Sequence, residues 1–301
     1  MGEGRGEGAI VTIGRAQIAL SWIHRLSDCP GARVYNPRMP SRERLYRTEA
    51  VVLRRGDLGE ADRILTAYSP EHGKLRLVAK GVRKVRSRKA GHLEPFTRVE
   101  LQIARGHDLD VITQAQALDL HVGLHHDLER FGYAAYVVEL MDRFTVQEGE
   151  SRGLYRLLVE TLDRLAEDFE PAAVVDYYQL RLLDLLGYRP ELFRCLGCGL
   201  EVRPVDQHFS AVAGGVLCPD CGPRRHEARS LSLPVLKVLR HFQRSAFAQA
   251  LQPRVRFETL DEAGLVLEGY VSYLLERRLQ APAFVRQVRH LDALSLAAPA
   301  K

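Results

Sequence analysis

The feature that most constrains this chain is a pair of Cys-x-x-Cys motifs with nineteen residues between them. The four cysteines are Cys195, Cys198, Cys218 and Cys221. Two such pairs can turn back on one ion, and the intervening segment is long enough for a β-hairpin that brings them together. Four thiolates suit zinc and leave no coordination position for water or substrate. The spacing therefore predicts one structural Zn²⁺ ion.

Two other uses of paired cysteines stay open at this stage. Disulfides would require an oxidising compartment, and a redox motif would need only one pair beside a βαβ pattern. The chain has no run of eighteen apolar residues and no apolar leader with a cleavage site. We therefore expect a cytoplasmic, reducing location with no membrane segment, in which zinc is favoured over disulfides.

Length and composition indicate a globular chain of about two domains, with 301 residues of which 46% are hydrophobic. Residues 1–44 are rich in Gly and Pro, so we expect a poorly ordered extension, and Met39 is a candidate for the true start. The expected boundaries are 45–119 for a nucleic-acid-binding β-domain, 120–190 and 229–280 for a helical domain in two parts, 191–228 for the cysteine module, and 281–301 for a loosely ordered tail.

Short β-type runs separated by turns follow from Arg47 to Ala117. The predicted strands are Glu49–Arg54, Arg63–Ser69, Lys74–Lys80, Arg98–Ile103 and Leu109–Ala117. Five strands in about 70 residues, with the longest connection between the third and the fourth, fit an OB-fold. A generic five-stranded barrel is the alternative. The predicted class is therefore α+β: a small barrel followed by helices that carry an inserted zinc module.

The longest connection is strongly basic. The sixteen residues from Lys74 to Lys89 include eight basic residues and no Asp or Glu. Such a run indicates a polyanionic partner, and a merely solvated basic loop is the alternative. Because Tyr68 and Phe96 are the only aromatic residues nearby, base stacking should be weak. The predicted nucleic-acid contacts are Lys74, Arg76, Lys80, Arg83, Lys84, Arg86, Arg88, Lys89, Arg98 and Arg105.

Beyond Leu120 the apolar residues recur at helical spacing, and the charge changes sign. Residues 127–191 have a net charge of −7, whereas residues 47–117 have +5. This asymmetry places the nucleic acid on the barrel. We expect the tyrosines of the helical faces to pack in the core, and His121, His125 and His126 to have a surface role. The tyrosines in question are Tyr133, Tyr136, Tyr177 and Tyr178.

Motifs of common enzymes are missing from the sequence. It contains no phosphate-binding loop, dinucleotide fingerprint, nucleophile elbow or His-Glu-x-x-His motif. We therefore predict a protein that is not an enzyme.

Three segments together resemble the RecO family of bacterial recombination mediators. They are Tyr46–Leu53 (YRTEAVVL), Gly59–Leu65 (GEADRIL) and Gly73–Gly81 (GKLRLVAKG), which the basic run follows. The resemblance continues through Leu93–Phe96 (LEPF) and the four-cysteine module, and spans roughly residues 46–250. It implies an OB-fold, a helical domain and a zinc module.

The resemblance also implies a function in the RecF pathway of recombinational DNA repair. Proteins of this family bind single- and double-stranded DNA and anneal complementary strands. They act with RecR, and in many species RecF, to replace single-strand-binding protein with RecA, and a pocket in the helical domain takes the acidic tail of single-strand-binding protein. Such a protein would work in the cytoplasm at the nucleoid. Two other classes stay open: a zinc-ribbon RNA-binding accessory factor of translation or transcription, and a cryptic enzyme.

Overall fold

The computed structural model of the protein describes residues 45–146, 149 and 151–297, with side chains as far as residue 290. The extension predicted for residues 1–44, and the candidate start at Met39, lie outside the described residues. Five strands come first, and helices interrupted by three short strands follow. The predicted α+β class is confirmed.

The first five strands close into a barrel. They are β1 (Leu45–Leu58), β2 (Asp62–Ser69), β3 (Gly73–Ala79), β4 (Arg98–Ala104) and β5 (Asp110–Asp119). Their order around the barrel is β1-β2-β3-β5-β4, and β4 pairs with β1 to close it. The neighbours are antiparallel except for β3 and β5, which run parallel. The connection from β3 to β4 therefore has to pass across β5.

The middle of β1, residues 50–53, is buried on both faces. Ala50 and Val52 belong to the core of the barrel, whereas Val51 and Leu53 belong to the core of the helical part. Successive side chains of a strand point to opposite faces, so this uninterrupted apolar run serves two cores at once. A register shift after Val52 accompanies the change of pairing partner from β4 to β2.

Four helices follow the barrel: α1 (Val122–His126), α2 (Leu128–Phe144), α3 (Arg152–Ala166) and α4 (Pro171–Leu185). The side chain of Asp127 caps α2 by accepting hydrogen bonds from the backbone N–H groups of Glu129 and Arg130. Gly187 has a φ of 79°, the left-handed conformation that terminates a helix such as α4. The four tyrosines of these helical faces are all buried, so the predicted core role is confirmed.

A small sheet interrupts the helices. It contains β6 (Gln207–Ser210), β7 (Gly215–Leu217) and β8 (Arg229–Leu231), in the order β7-β6-β8. The remaining helices are α5 (Leu233–Arg244), α6 (Phe247–Ala250), α7 (Phe257–Leu275) and α8 (Ala281–Ala297). Helices α5 and α7 pack against α4 and against each other, so the chain returns to the helical core after the sheet.

The loosely ordered tail predicted from residue 281 is wrong for residues 281–297, which form α8. Val285 and Val288 are buried, and Val285 packs so closely on Gly132 of α2 that a β-carbon there would lie 2.9 Å from its Cγ2. Glu139 of α2 accepts hydrogen bonds from the backbone N–H groups of Gln280 and Ala281, which begin the helix. Tertiary packing against α2 stabilises a segment whose own sequence signals are weak.

Candidate nucleic-acid interface and metal centre

The ten basic residues predicted to contact nucleic acid divide into an exposed group and a group held by the protein itself. Lys74, Lys89 and Arg98 are partly buried. The exposed residues are Arg76, Lys80, Arg83, Lys84, Arg86, Arg88 and Arg105. Five of these seven belong to residues 80–89, the segment that follows β3 and is called the basic loop below.

Backbone contacts fix the start of the basic loop. Gly81 has a φ of 65°, and its N–H donates to Oδ1 of Asp62 at 2.7 Å. Val82 is buried in the barrel core. Arg83 donates through Nη1 to the carbonyl oxygen of Gly59 and lies 3.5 Å from Asp57. The loop is thereby attached to the turn between β1 and β2.

Lys89 fixes the other end of the loop. Its Nζ donates to the carbonyl oxygens of Lys80 and Ile112, at 3.2 and 3.1 Å. Burial lowers the pKa of this ammonium group, and the charge of Asp62 opposes the shift. Lys89 therefore shapes the loop, and the side chains between the two attachments are left exposed.

Among the described residues, the exposed positions at the tip of the loop pair with no carboxylate. Arg83 is the only residue of the loop with such a partner in the described chain. The unpaired residues are Lys80, Lys84, Arg86 and Arg88. Four uncompensated cations on one short loop create a local positive potential that a polyanion would neutralise.

Lys74 and Arg98 are held in ion pairs with the folded chain. Nζ of Lys74 lies 3.2 Å from Oδ1 of Asp142, and its side chain is only 14% exposed. Arg98 donates a hydrogen bond to Glu49, which also accepts one from the hydroxyl of Tyr155. Burial acts to raise the pKa of Glu49, but the hydrogen bonds from Arg98 and Tyr155 outweigh it and the pKa is lowered.

The two aromatic residues near the basic run are not available for base stacking. Tyr68 and Phe96 are both 2% exposed and pack in the core that the barrel shares with the helices. Sequence reasoning missed Val85, which is fully exposed at the tip of the basic loop. The signal was an apolar residue between Lys84 and Arg86.

A second set of exposed arginines was also missed. Arg54 follows the buried part of β1, Arg143 lies near the end of α2, and Arg277 and Arg278 follow α7. A cavity of about 450 Å³ is lined by these four arginines together with Lys74. The available signal was two Arg-Arg doublets. The one at 54–55 directly follows an apolar run, and the one at 277–278 is separated from an apolar helix by Glu276 alone.

The four cysteines of the predicted metal site meet in space. Their sulfur atoms all lie within 4.8 Å of one another. In each Cys-x-x-Cys turn the carbonyl oxygen of the first cysteine accepts a hydrogen bond: Cys195 from the N–H of Gly199, and Cys218 from that of Gly222, both at 2.8 Å. The two motifs therefore fold into turns of the same kind that face each other.

The geometry of the sulfurs fits a tetrahedral metal ion. The Sγ atoms of Cys198 and Cys218 are 4.0 Å apart, close to the ~3.8 Å separation of four sulfurs that each lie about 2.3 Å from one zinc ion. This is about twice the S–S bond length of about 2.05 Å, and all four cysteines are free thiols. The cluster could hold a metal ion, and the disulfide alternative finds no support.

Backbone groups favour the ionised form of one thiol. Burial acts to raise the pKa of Cys195, but N–H groups of Cys218, Cys198 and Gly197 outweigh it and lower the pKa to about 6. Hydrogen bonding with Cys218 raises the pKa of Cys221 to about 12. A bound cation would stabilise all four thiolates and remove this asymmetry.

Family models match nearly all of the described chain. The N-terminal model of recombination protein O matches residues 43–121, and the C-terminal model of the same protein matches residues 125–282. This chain belongs to the RecO family. The resemblance inferred from the sequence motifs is confirmed.

Curated relatives agree with the RecO family models. The chain is 40% identical to the DNA repair protein RecO of Roseiflexus sp. (strain RS-1) over 250 residues, or 83% of this chain and 88% of the relative. It is 38% identical to the DNA repair protein RecO of Desulforudis audaxviator over 243 residues, 81% of this chain and 97% of the relative. It is 35% identical to the DNA repair protein RecO of Pelotomaculum thermopropionicum over 256 residues, which is 85% of this chain and 99% of the relative.

His121 lies at the boundary between the two RecO matches. The surface role predicted for it is wrong, because the residue is 3% exposed. Its Nδ1 lies 2.9 Å from the carbonyl oxygen of Phe96, and its Nε2 lies 2.9 Å from Oδ1 of Asp163 on α3. Asp119 completes a group of three side chains whose ligand atoms lie within 4.8 Å of one another. Because the ring is already engaged on both nitrogens, we interpret His121 as a link between the barrel and the helices.

The described helices of this RecO family member include none that is both long and apolar enough to cross a bilayer.

Proposed function

We propose that this protein is a non-enzymatic DNA-binding mediator that anneals complementary strands during recombinational repair. The observation that carries the proposal is the basic loop, where Lys80, Lys84, Arg86 and Arg88 are exposed and without a described carboxylate partner. The proposed phosphate contacts are the seven exposed residues, Arg76, Lys80, Arg83, Lys84, Arg86, Arg88 and Arg105. The relatives named DNA repair protein RecO support DNA as the polyanion.

We propose that the barrel, residues 45–119, is an OB-fold. Its support is a closed five-stranded barrel in the order β1-β2-β3-β5-β4, with a long connection between β3 and β4. Folds of this type bind oligonucleotides on a strand face and adjoining loops. Residues 120–190 and 229–280 would then form the helical domain, and residues 191–228 the inserted zinc module.

Annealing is a function that these groups can perform without covalent chemistry. Repulsion between two phosphate backbones opposes pairing, and a protein that supplies cations lowers that repulsion. Since Tyr68 and Phe96 are buried, the bases would stay unstacked from protein and available for pairing. Binding should be indifferent to sequence and strongly dependent on salt.

We propose Zn²⁺ as the occupant of the cysteine cluster, in a structural role. Cys195, Cys198, Cys218 and Cys221 would hold it, and four protein ligands leave no position for substrate. The ion would tie the turn after α4 to the small β-sheet. In isolated zinc-finger peptides such a site supplies on the order of 10 kcal/mol to folding.

Family membership also supports a set of partners. The resemblance to RecO implies action with RecR and, in many species, RecF, to replace single-strand-binding protein with RecA. We extend these partners to the present chain, together with double- and single-stranded DNA and a cytoplasmic location at the nucleoid. The family matches carry this part of the proposal.

The test is annealing of two complementary oligonucleotides coated with single-strand-binding protein, followed by fluorescence at two salt concentrations. Wild type should anneal rapidly at low salt, and changing Lys80, Arg83, Lys84 and Arg86 to Glu should abolish annealing. A matched control changes Arg156, Lys237, Arg254 and Arg256 to Glu, four exposed positions outside the proposed set, and should anneal like wild type. A wild type that does not anneal DNA, but binds RNA as well as DNA, would favour the RNA-binding alternative.

A further inference from the structure

A concave basic surface lies where the barrel meets the helices, away from the tip of the basic loop. One cavity there has a volume of about 450 Å³ and an adjoining one about 550 Å³, and both are lined by Arg54, Lys74 and Asp142. We call this surface the junction groove. Its basic side chains are Arg54, Lys74, Arg76, Arg143, Arg277 and Arg278.

The charge of the junction groove is only partly compensated. Asp142 is the acidic residue lining both cavities, and it already pairs with Lys74 at 3.2 Å and with Arg54 at 2.9 Å. Arg143 lies 4.0 Å from Glu139, the limit of an ion pair. Among the described residues, Arg277 and Arg278 have no carboxylate partner. The groove therefore keeps an excess of positive charge that is open to an anion.

The Arg277–Arg278 pair is held in place by the turn between α7 and α8. Glu276 adopts the left-handed conformation with a φ of 51°, which takes the chain out of α7. Glu139 then accepts hydrogen bonds from the N–H groups of Gln280 and Ala281. Fixing both ends of a short turn reduces the conformational entropy that the two arginines lose on binding a ligand.

The junction groove and the basic loop are connected along one strand. Lys74 lies near the start of β3, and Lys80 directly follows its last residue. The two residues are six positions apart, which is about 20 Å at a rise of about 3.3 Å per residue. Arg76 lies between them on the same face, because alternate residues of a strand share a face. Arg76 is exposed and lines the cavity of about 550 Å³. Basic side chains therefore line the path from the junction groove to the basic loop.

We propose that the junction groove binds the sugar–phosphate backbone of the same DNA strand that occupies the basic loop. This inference rests on the proposed function. A nucleic-acid strand carries one charge per nucleotide, and cations spread over more than about 20 Å suit such an extended polymer. A short acidic peptide would need only one of the two clusters.

The test compares a short and a long oligonucleotide. Arg277→Glu combined with Arg278→Glu should leave the affinity for about six thymidines within twofold, because the basic loop alone can hold them. For thirty thymidines the affinity should fall at least tenfold at low salt, and the log–log salt slope should become shallower by about 1.4, or about 0.7 for each lost phosphate contact. The double variant Arg277→Gln with Arg278→Gln removes both positive charges without adding negative ones. It should show the same change in salt slope and a smaller loss of affinity.

The matched control is Arg254→Glu with Arg256→Glu. These exposed arginines precede α7, which has nineteen residues, so they lie about 27 Å from the end of the helix that leads to Arg277. The control substitutions change the net charge by the same amount as those at 277 and 278. They should leave both oligonucleotides unaffected. Thermal unfolding of all variants identifies any loss of affinity that comes from misfolding.

Three outcomes would overturn the inference. The first outcome is that the 277–278 variants bind thirty thymidines like wild type, while the variant with Lys80, Arg83, Lys84 and Arg86 changed to Glu does not. The groove proposal then fails and the proposed function stands. If the variants instead lose binding of a deca-glutamate peptide and keep the DNA affinity, the groove is a peptide site. If wild type binds neither oligonucleotide, the proposed function and the groove fall together.

Discussion

Nζ of Lys74, on β3 of the barrel, donates hydrogen bonds to both the carbonyl oxygen and the side-chain Oδ1 of Asp142, near the C-terminal end of α2. The carbonyl oxygens of the last turn of a helix lack partners within the helix, and a cation there also interacts favourably with the helix dipole. A residue from the predicted DNA-contacting run is thus used to attach the barrel to the helical part.

Lys74→Met should therefore destabilise the folded protein. The expected loss is about 1.5–3 kcal/mol in the free energy of unfolding, because charge-assisted hydrogen bonds at a mostly buried site are removed. Lys80→Met is the comparison, since it removes an exposed ammonium, and it should change stability by less than about 0.5 kcal/mol. Urea denaturation measures both. Equal stability of the two variants would show that the Lys74–Asp142 contact contributes little.

Lys89 and Arg88 should affect DNA binding in different ways. Arg88→Met removes an exposed cation, so the log–log salt slope for single strands should become shallower by about 0.7. Lys89→Met releases the loop from the carbonyl oxygens of Lys80 and Ile112, so affinity should fall with the slope unchanged. Trypsin should also cleave Lys89→Met faster after Lys84. A reduced slope in Lys89→Met would mean that its ammonium contacts a phosphate.

Asp176 should make the stability of the protein decrease as pH rises. It is 3% exposed, its Oδ2 has no hydrogen-bond partner among the described residues, and burial raises its pKa well above the usual value despite the nearby charge of Arg289. A carboxyl group with a raised folded-state pKa stabilises the fold below about pH 4 and loses that contribution as pH rises through the folded-state pKa.

Asp176→Asn should remove this dependence. The variant should be more stable than wild type at pH 8, because Asn cannot ionise at this buried position, and the difference should shrink toward pH 4. Asp168→Asn is the control, because Asp168 is fully exposed. Denaturation at several pH values provides the measurement. A difference that is independent of pH would contradict the assignment.

The cysteine cluster should hold one metal ion per chain. Cys198→Ser combined with Cys221→Ser should abolish metal binding and unfold residues 191–228 locally, since structural zinc sites supply much of the folding energy of small modules. Cys29→Ser should retain the ion. Elemental analysis and hydrogen exchange check the two effects. Two results would refute the metal site: wild type that contains no metal after preparation with zinc, or a double variant that still contains one zinc ion per chain.

Local patterns were sufficient for much of this protein. The paired cysteines, the apolar periodicity of α2 and the alternation along β3 are set by near neighbours in the chain, so the cluster, the helix and the five strands could be predicted. The prediction of a loosely ordered tail from residue 281 failed because α8 depends on packing against Gly132 and on capping by Glu139, residues more than 140 positions away in the sequence.

The sequence by itself determined the RecO family, the α+β class and which segments are basic. Only the tertiary structure decided which cations are free, because an ion pair depends on distance in space and its partner can lie anywhere in the chain. Lys74 is engaged by Asp142, 68 residues away, whereas Lys84 meets no described carboxylate. For the same reason the junction groove, which joins Arg54, Arg143 and Arg277, has no counterpart in any single stretch of sequence.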